Sequence, residues 1–117
     1  MKAIFLTGTA GAGKTLLATK ISEYYTKNGV FPAILNLDPG VESLPYSPDI
    51  DVRDFVDISS IMNQYDLGPN GSMIMASDLI ASKIDLIEEQ VNTVNPDYLI
   101  IDTPCLLYTS DAADEED

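Results

Sequence analysis

Histidine is absent from these 117 residues, and cysteine occurs once. Those absences exclude an internal disulfide, a Cys/His zinc cluster and a Ser-His-Asp triad. Basic residues are scarce too: six Lys and Arg stand against 19 Asp and Glu, for a formal net charge of −13. That balance argues against sequence-independent nucleic-acid binding, which needs cationic surface to displace counterions. It argues equally against docking on an anionic membrane. No apolar run approaches the ~20 residues of a membrane-spanning helix. The chain opens on a strand-like segment rather than a signal peptide, so the cytoplasm is the expected location. This length suits one domain with one modest core.

What is present is a glycine-rich octapeptide near the start, Gly-Thr-Ala-Gly-Ala-Gly-Lys-Thr over residues 8–15. It fits the phosphate-binding pattern G-x-x-x-x-G-K-[ST], and its flanks fit as well. Ala3-Ile4-Phe5-Leu6 before it reads as a buried strand, and Leu16 to Asn28 after it reads as a helix, with Leu17, Ile21 and Tyr24 at spacings of four and three. The chemistry needs that order. Glycines let backbone N–H groups close around an anion, and the helix N-terminus adds a partial positive charge aimed at the same spot. Gly8, Gly11, Ala12, Gly13, Lys14, Thr15 and Leu16 form the expected nucleotide-binding set. Lys14 would reach the β- and γ-phosphates, and the Thr15 hydroxyl would ligate Mg²⁺.

Further along, Ala33 to Leu37 reads as a second buried strand, which with the first helix makes a βαβ unit and a parallel sheet. Ligands in such sheets sit beyond the C-terminal strand edge, where Asp38 lies. Asp38 either opens the Asp38-Pro39-Gly40 turn or serves the phosphate site. Residues 39–57 read as a long proline-broken acidic loop resembling a switch segment, with Arg53 its one basic residue. Arg53 reads as a solvated surface side chain, with charge stabilisation as the sharper alternative. A short helix follows from Asp57-Ile58 to Tyr65, then a turn over Leu67-Gly68-Pro69-Asn70-Gly71. Ser72 is expected to cap one further helix reaching about Val94, its apolar stripe running through Ile80, Ile84, Ile87 and Val91. Tyr98 to Ile101 is a third strand ending in Asp102, the Walker B arrangement, whose carboxylate would hold Mg²⁺ opposite Thr15. The expected fold is therefore α/β, a P-loop NTPase with about three strands in a parallel sheet flanked by helices, truncated.

These segments together resemble the N-terminal half of a GPN-loop GTPase, most like archaeal members. The match runs through residues 8–15, 36–42, Leu44-Pro45-Tyr46, 50–56, Leu67 to Gly71 and Ile101-Asp102-Thr103-Pro104, covering essentially residues 1–104. The resemblance implies an Mg²⁺-dependent, GTP-hydrolysing homodimer serving protein clients in complex assembly. In it the Gly-Pro-Asn loop of one subunit reaches the other's nucleotide. By position, Asn70 would place an amide near the γ-phosphate across the dimer, a neutral dipole suited to developing charge. Asp38 would help place Mg²⁺ or the attacking water, so Lys14, Asp38 and Asn70 are the implied catalytic set.

The pattern breaks at 105, where the family requires glycine and this chain has Cys105. Residues 105–117 resemble a translated transposase sequencing adapter, so a native part over 1–104 and a non-native disordered tail are expected. The guanine-reading Asn-Lys-x-Asp segment does not occur. Two other readings follow: a nucleotide-binding or inert fragment without turnover, and a partitioning-type ATPase. Thr9 counts against the latter, because that class carries lysine after the first loop glycine.

Overall fold

Four parallel strands lie in the order β1-β4-β2-β3 in the computed structural model, which describes residues 1–8 and 13–104. They are β1 (Lys2–Leu6), β2 (Pro32–Asn36), β3 (Ile50–Asp51) and β4 (Tyr98–Asp102). The helices are α1 (Lys14–Lys27), α2 (Ile58–Tyr65), α3 (Pro69–Ser82) and α4 (Ile84–Val94). The parallel α/β expectation holds. The last strand, however, inserts between the first two, and a two-residue strand forms inside the segment read as a loop.

Burial on both faces explains why β2 and β4 read as unbroken apolar runs rather than alternating ones. β1 is not the buried strand its apolar run suggested: it lies at the sheet edge with Ala3 exposed and Phe5 64% exposed, and Leu6 is its one buried residue. On one face Ala18 of α1 packs on Leu6, Ile34 and Ile100. On the other, Ile87 and Val91 of α4 pack on Ala33, Leu35, Leu99 and Ile101. Ile100, on the central strand, is fully buried, which contributes about 1.5–3 kcal/mol relative to exposure. The rings of Tyr25 and Tyr98 stack at 4.2 Å, tying the end of α1 to the start of β4.

The region after β3 differs more from expectation. Residues 67–71 are not a free turn: Gly68 is the N-cap of α3 and Pro69 its first residue, where a fixed φ and a missing N–H cost nothing. Ser72 lies inside that helix, buried, its hydroxyl donating to the Gly68 carbonyl at 2.8 Å. The single helix expected up to Val94 is two, parted at Lys83 (φ −111°). The two halves pack on different partners. Ala76 of α3 joins Val56 and Ile61 in a small second core, whereas α4 turns onto the sheet. One straight helix cannot serve both. Ile84, at the junction, is consequently 52% exposed although it falls on the apolar stripe. The start of α2 behaves as expected, with the Asp57 carboxylate accepting from the Ser59 and Ser60 N–H groups.

Candidate functional site

Strand register sets out the site. Leu6, Asp102, Asn36 and Asp51 stand side by side at the C-terminal ends of the four strands. The glycine loop leaves β1 at this edge, and α1 starts beside it. Gly13 caps α1 with φ +77°, a backbone conformation that a side chain would strain. Gly11 and Ala12 lie outside the described residues, as does the adapter-like tail. Gly8 is exposed, Thr15 is half-buried in the first turn of α1, and Leu16 is 56% exposed.

Lys14 and Asp102, 88 positions apart, form an ion pair through Lys14 Nζ and Asp102 Oδ1. The Asp102 carboxylate is almost wholly buried, so the ammonium neutralises a charge that would be costly to leave alone. Its other oxygen, Oδ2, accepts from the Tyr46 hydroxyl at 2.8 Å. Burial above all, then the hydrogen bond to Asp102, pushes the Tyr46 phenol well above its usual range, so it stays a donor. Tyr46 was legible only as part of Leu-Pro-Tyr; nothing in its spacing announces a carboxylate 56 residues away.

Asp38 stands close enough to feel both partners of that pair. It does open the turn, its Oδ1 accepting from the Gly40 N–H at 2.9 Å. Burial raises its pKa, against the lowering effects of the Gly40 N–H and Lys14. The structure thus brings Lys14, Asp38 and Asp102 to one edge. Asn70 does not join them: it sits exposed in the first turn of α3. Beside that turn lies a cleft of about 470 Å³ between Pro39–Glu42, Arg53 and α2, with Pro69 at its rim.

A second polar network holds the 39–57 segment. Buried Asn36 donates to Asp51 at 3.0 Å and to the Asp38 carbonyl at 3.2 Å. Arg53 is not the solvated side chain expected. It forks onto Asp51 (Nη2 to Oδ2, 2.7 Å) and donates through Nη1 to the carbonyls of Val41 and Glu42. With all three guanidinium nitrogens engaged, it acts as a loop clamp.

These two aspartates give stability a pH dependence of opposite signs. Burial pushes Asp51 upward, but hydrogen bonds from the Arg53 side chain and backbone and from Asn36 outweigh it, leaving its pKa below the ordinary 3.8. Its contribution is therefore present above pH 3.8 and is lost as pH falls through the lowered folded value. Asp38, raised in the folded state, penalises folding at neutral pH and is relieved as pH falls toward 3.8. Urea midpoints measured against pH should rise and then fall on acidification. Asp38→Asn should flatten the first limb and Asp51→Asn the second.

Among the described residues there is no group of three or more metal-ligating acids, histidines or cysteines. Mg²⁺ needs none, since it takes one or two protein oxygens and fills its octahedron with water and phosphate oxygens. A buried carboxylate with unused lone pairs at 102 and a hydroxyl at 15 are hard oxygen donors of that kind, so the residues fit the ion.

A family profile described as "Conserved hypothetical ATP binding protein" matches residues 6–105. GPN-loop GTPase 1 of Dictyostelium discoideum is 42% identical over 103 residues, covering 86% of this chain and 26% of that protein. The chain belongs to the GPN-loop GTPase family. GPN-loop GTPase 3 of Saccharomyces cerevisiae is 35% identical over 101 residues, covering 86% of this chain and 37% of that protein. The apo-form crystal structure of a GTPase from Pyrococcus abyssi superposes with a TM-score of 0.79 at 39% identity, covering 93% of this chain and 44% of that one. The chain thus spans roughly a quarter to under half of the length of these relatives, and the P-loop NTPase class expected from its motifs holds. No helix among the described residues is long and apolar enough to cross a membrane.

Proposed function

We propose that this chain is the nucleotide-binding part of a cytoplasmic, homodimeric GPN-loop GTPase that hydrolyses GTP with Mg²⁺ and acts with protein clients in complex assembly. One observation carries the reading: the loop lysine and the strand-end aspartate converge across 88 positions at the sheet edge where the helix α1 N-terminus points. Lys14 binds the β- and γ-phosphates, exchanging a carboxylate partner for phosphate oxygens. The first N–H groups of α1 receive the same anion. Thr15 and Asp102 would hold the metal, which when bound neutralises charge on the phosphates and the leaving oxygen. Asp38, with its raised pKa and its place at the edge, orients the attacking water toward the γ-phosphorus, and GDP and phosphate leave. Asn70, exposed and unobstructed, supplies its amide to the partner's nucleotide.

Cys105, standing where the family pattern has glycine, favours a second reading in which these 117 residues bind nucleotide without steady turnover. Fluorescent GTP and ATP analogues titrated into the chain, with Mg²⁺ or with EDTA, test both. Binding of the GTP analogue that tightens with Mg²⁺ is expected, with negligible phosphate release from unlabelled GTP. Tighter binding of the ATP analogue would move the assignment to the partitioning-type ATPases, and binding of neither would sink it.

A further inference from the structure

The segment between β2 and β3 is fastened at both ends. Near β2, Asp38 caps Gly40 while Arg53 holds the carbonyls of Val41 and Glu42. Near β3, Asp49 exchanges hydrogen bonds with Ile34, carboxylate to N–H and N–H to carbonyl, both at 2.9 Å. Between these anchors, among the described residues, one side-chain hydrogen bond joins residues 43–48 to the sheet. It is the bond from Tyr46 to Asp102. The Tyr46 ring lies against the core face formed by Leu6, Ala18, Ile34 and Ile100, so its hydroxyl is delivered from a packed, oriented ring. Asp102 is gripped from two sides: Lys14 of α1 on Oδ1, Tyr46 of the loop on Oδ2.

We infer that Tyr46 is a positioning residue: its hydroxyl holds Asp102 Oδ2, turns Oδ1 to the phosphate loop, and so couples the 39–49 segment to occupation of the Mg²⁺–phosphate site. The inference rests on the nucleotide reading above. It assigns each oxygen of one carboxylate a separate task. A rotation of the Asp102 side chain that turns Oδ1 away from the loop breaks the bond at Oδ2 and frees the middle of the segment. Conversely, a ligand that draws Lys14 off Oδ1 leaves Tyr46 as the group holding Asp102 in its rotamer.

Tyr46→Phe in the full chain isolates the hydroxyl, because the ring and its packing remain. Two measurements are needed. Amide hydrogen exchange of residues 40–49 without nucleotide should become about tenfold faster, as expected for losing a hydrogen bond to a charged group. The affinity gain that Mg²⁺ confers on a fluorescent GTP analogue, measured against EDTA, should shrink about tenfold, while affinity in EDTA stays the same. A merely structural tyrosine would move the first and leave the second alone. Unchanged exchange, or faster exchange with an unchanged Mg²⁺ gain, overturns the coupling. If the wild-type chain binds no analogue, the nucleotide reading is what fails, and the exchange arm alone then decides whether Tyr46 holds Asp102.

Discussion

Lys14→Ala is expected to abolish tight nucleotide binding and to destabilise the fold at the same time. The two losses have different causes. Binding falls by about 100-fold or more, roughly 2.7 kcal/mol, because the one flexible cation delivered by the loop is gone from the β- and γ-phosphates. Stability falls because Asp102, 2% exposed at its side chain, loses the ammonium that neutralises it. Breaking a buried pair from one side costs about 3–5 kcal/mol, and the partly exposed lysine, at 11%, argues for the lower end. Urea unfolding without nucleotide reads the second effect alone. The double change Lys14→Ala with Asp102→Asn should recover most of that stability and none of the binding. If Lys14→Ala unfolded at the wild-type urea midpoint, the buried pair would not be holding the edge together.

Asn70→Ala should do the opposite: leave binding and folding intact and slow hydrolysis by about 100-fold, the scale for removing one preorganised donor from a developing anion. Folding is spared because the side chain is exposed in the first turn of α3 and Pro69, not Asn70, starts that helix. The experiment belongs in a full-length GPN-loop GTPase carrying these residues, where turnover can be followed. Action across the dimer has a sharper consequence. Mixing Asn70→Ala with Lys14→Ala subunits creates one site that has both a working loop and a partner's asparagine. Random exchange should restore roughly a quarter of wild-type turnover from two nearly inactive parents, because a two-fold dimer pairs each site with the opposite subunit's loop. No recovery on mixing would place Asn70 in its own subunit's chemistry, or outside the chemistry altogether.

The two changes probe opposite ends of one arrangement. Lys14 sits where backbone geometry and charge are set within the chain. Asn70 is exposed in the first turn of α3. In the proposed dimer the binding half of the site is internal and the rate-setting half would come from the second copy.

The residues that local rules govern were readable in order along the chain. Glycines at 8, 11 and 13 before Lys14-Thr15, an apolar run ending in Asp102, and Asp57 ahead of a short helix each follow from chemistry within about one helical turn or one strand of sequence. What the primary structure left open were the relations between segments. It did not say that β4 slots between β1 and β2, which is what sets Asp102 beside Leu6 and within reach of Lys14. The apolar stripe from Ile80 to Val91 satisfied helical periodicity throughout, yet α3 and α4 part at Lys83 because one packs on α2 and the other on the sheet. Arg53 looked like a surface residue of a loop, and Tyr46 was legible only within Leu44-Pro45-Tyr46. The role of Tyr46 arises from a carboxylate 56 positions away that only the folded sheet carries to it, and the clamp of Arg53, which forks onto its near neighbour Asp51, arises from the Val41 and Glu42 carbonyls that the fold brings against it. Sequence determined the parts and the chemistry each can do; long-range packing, which no local pattern encodes, decided which of them meet.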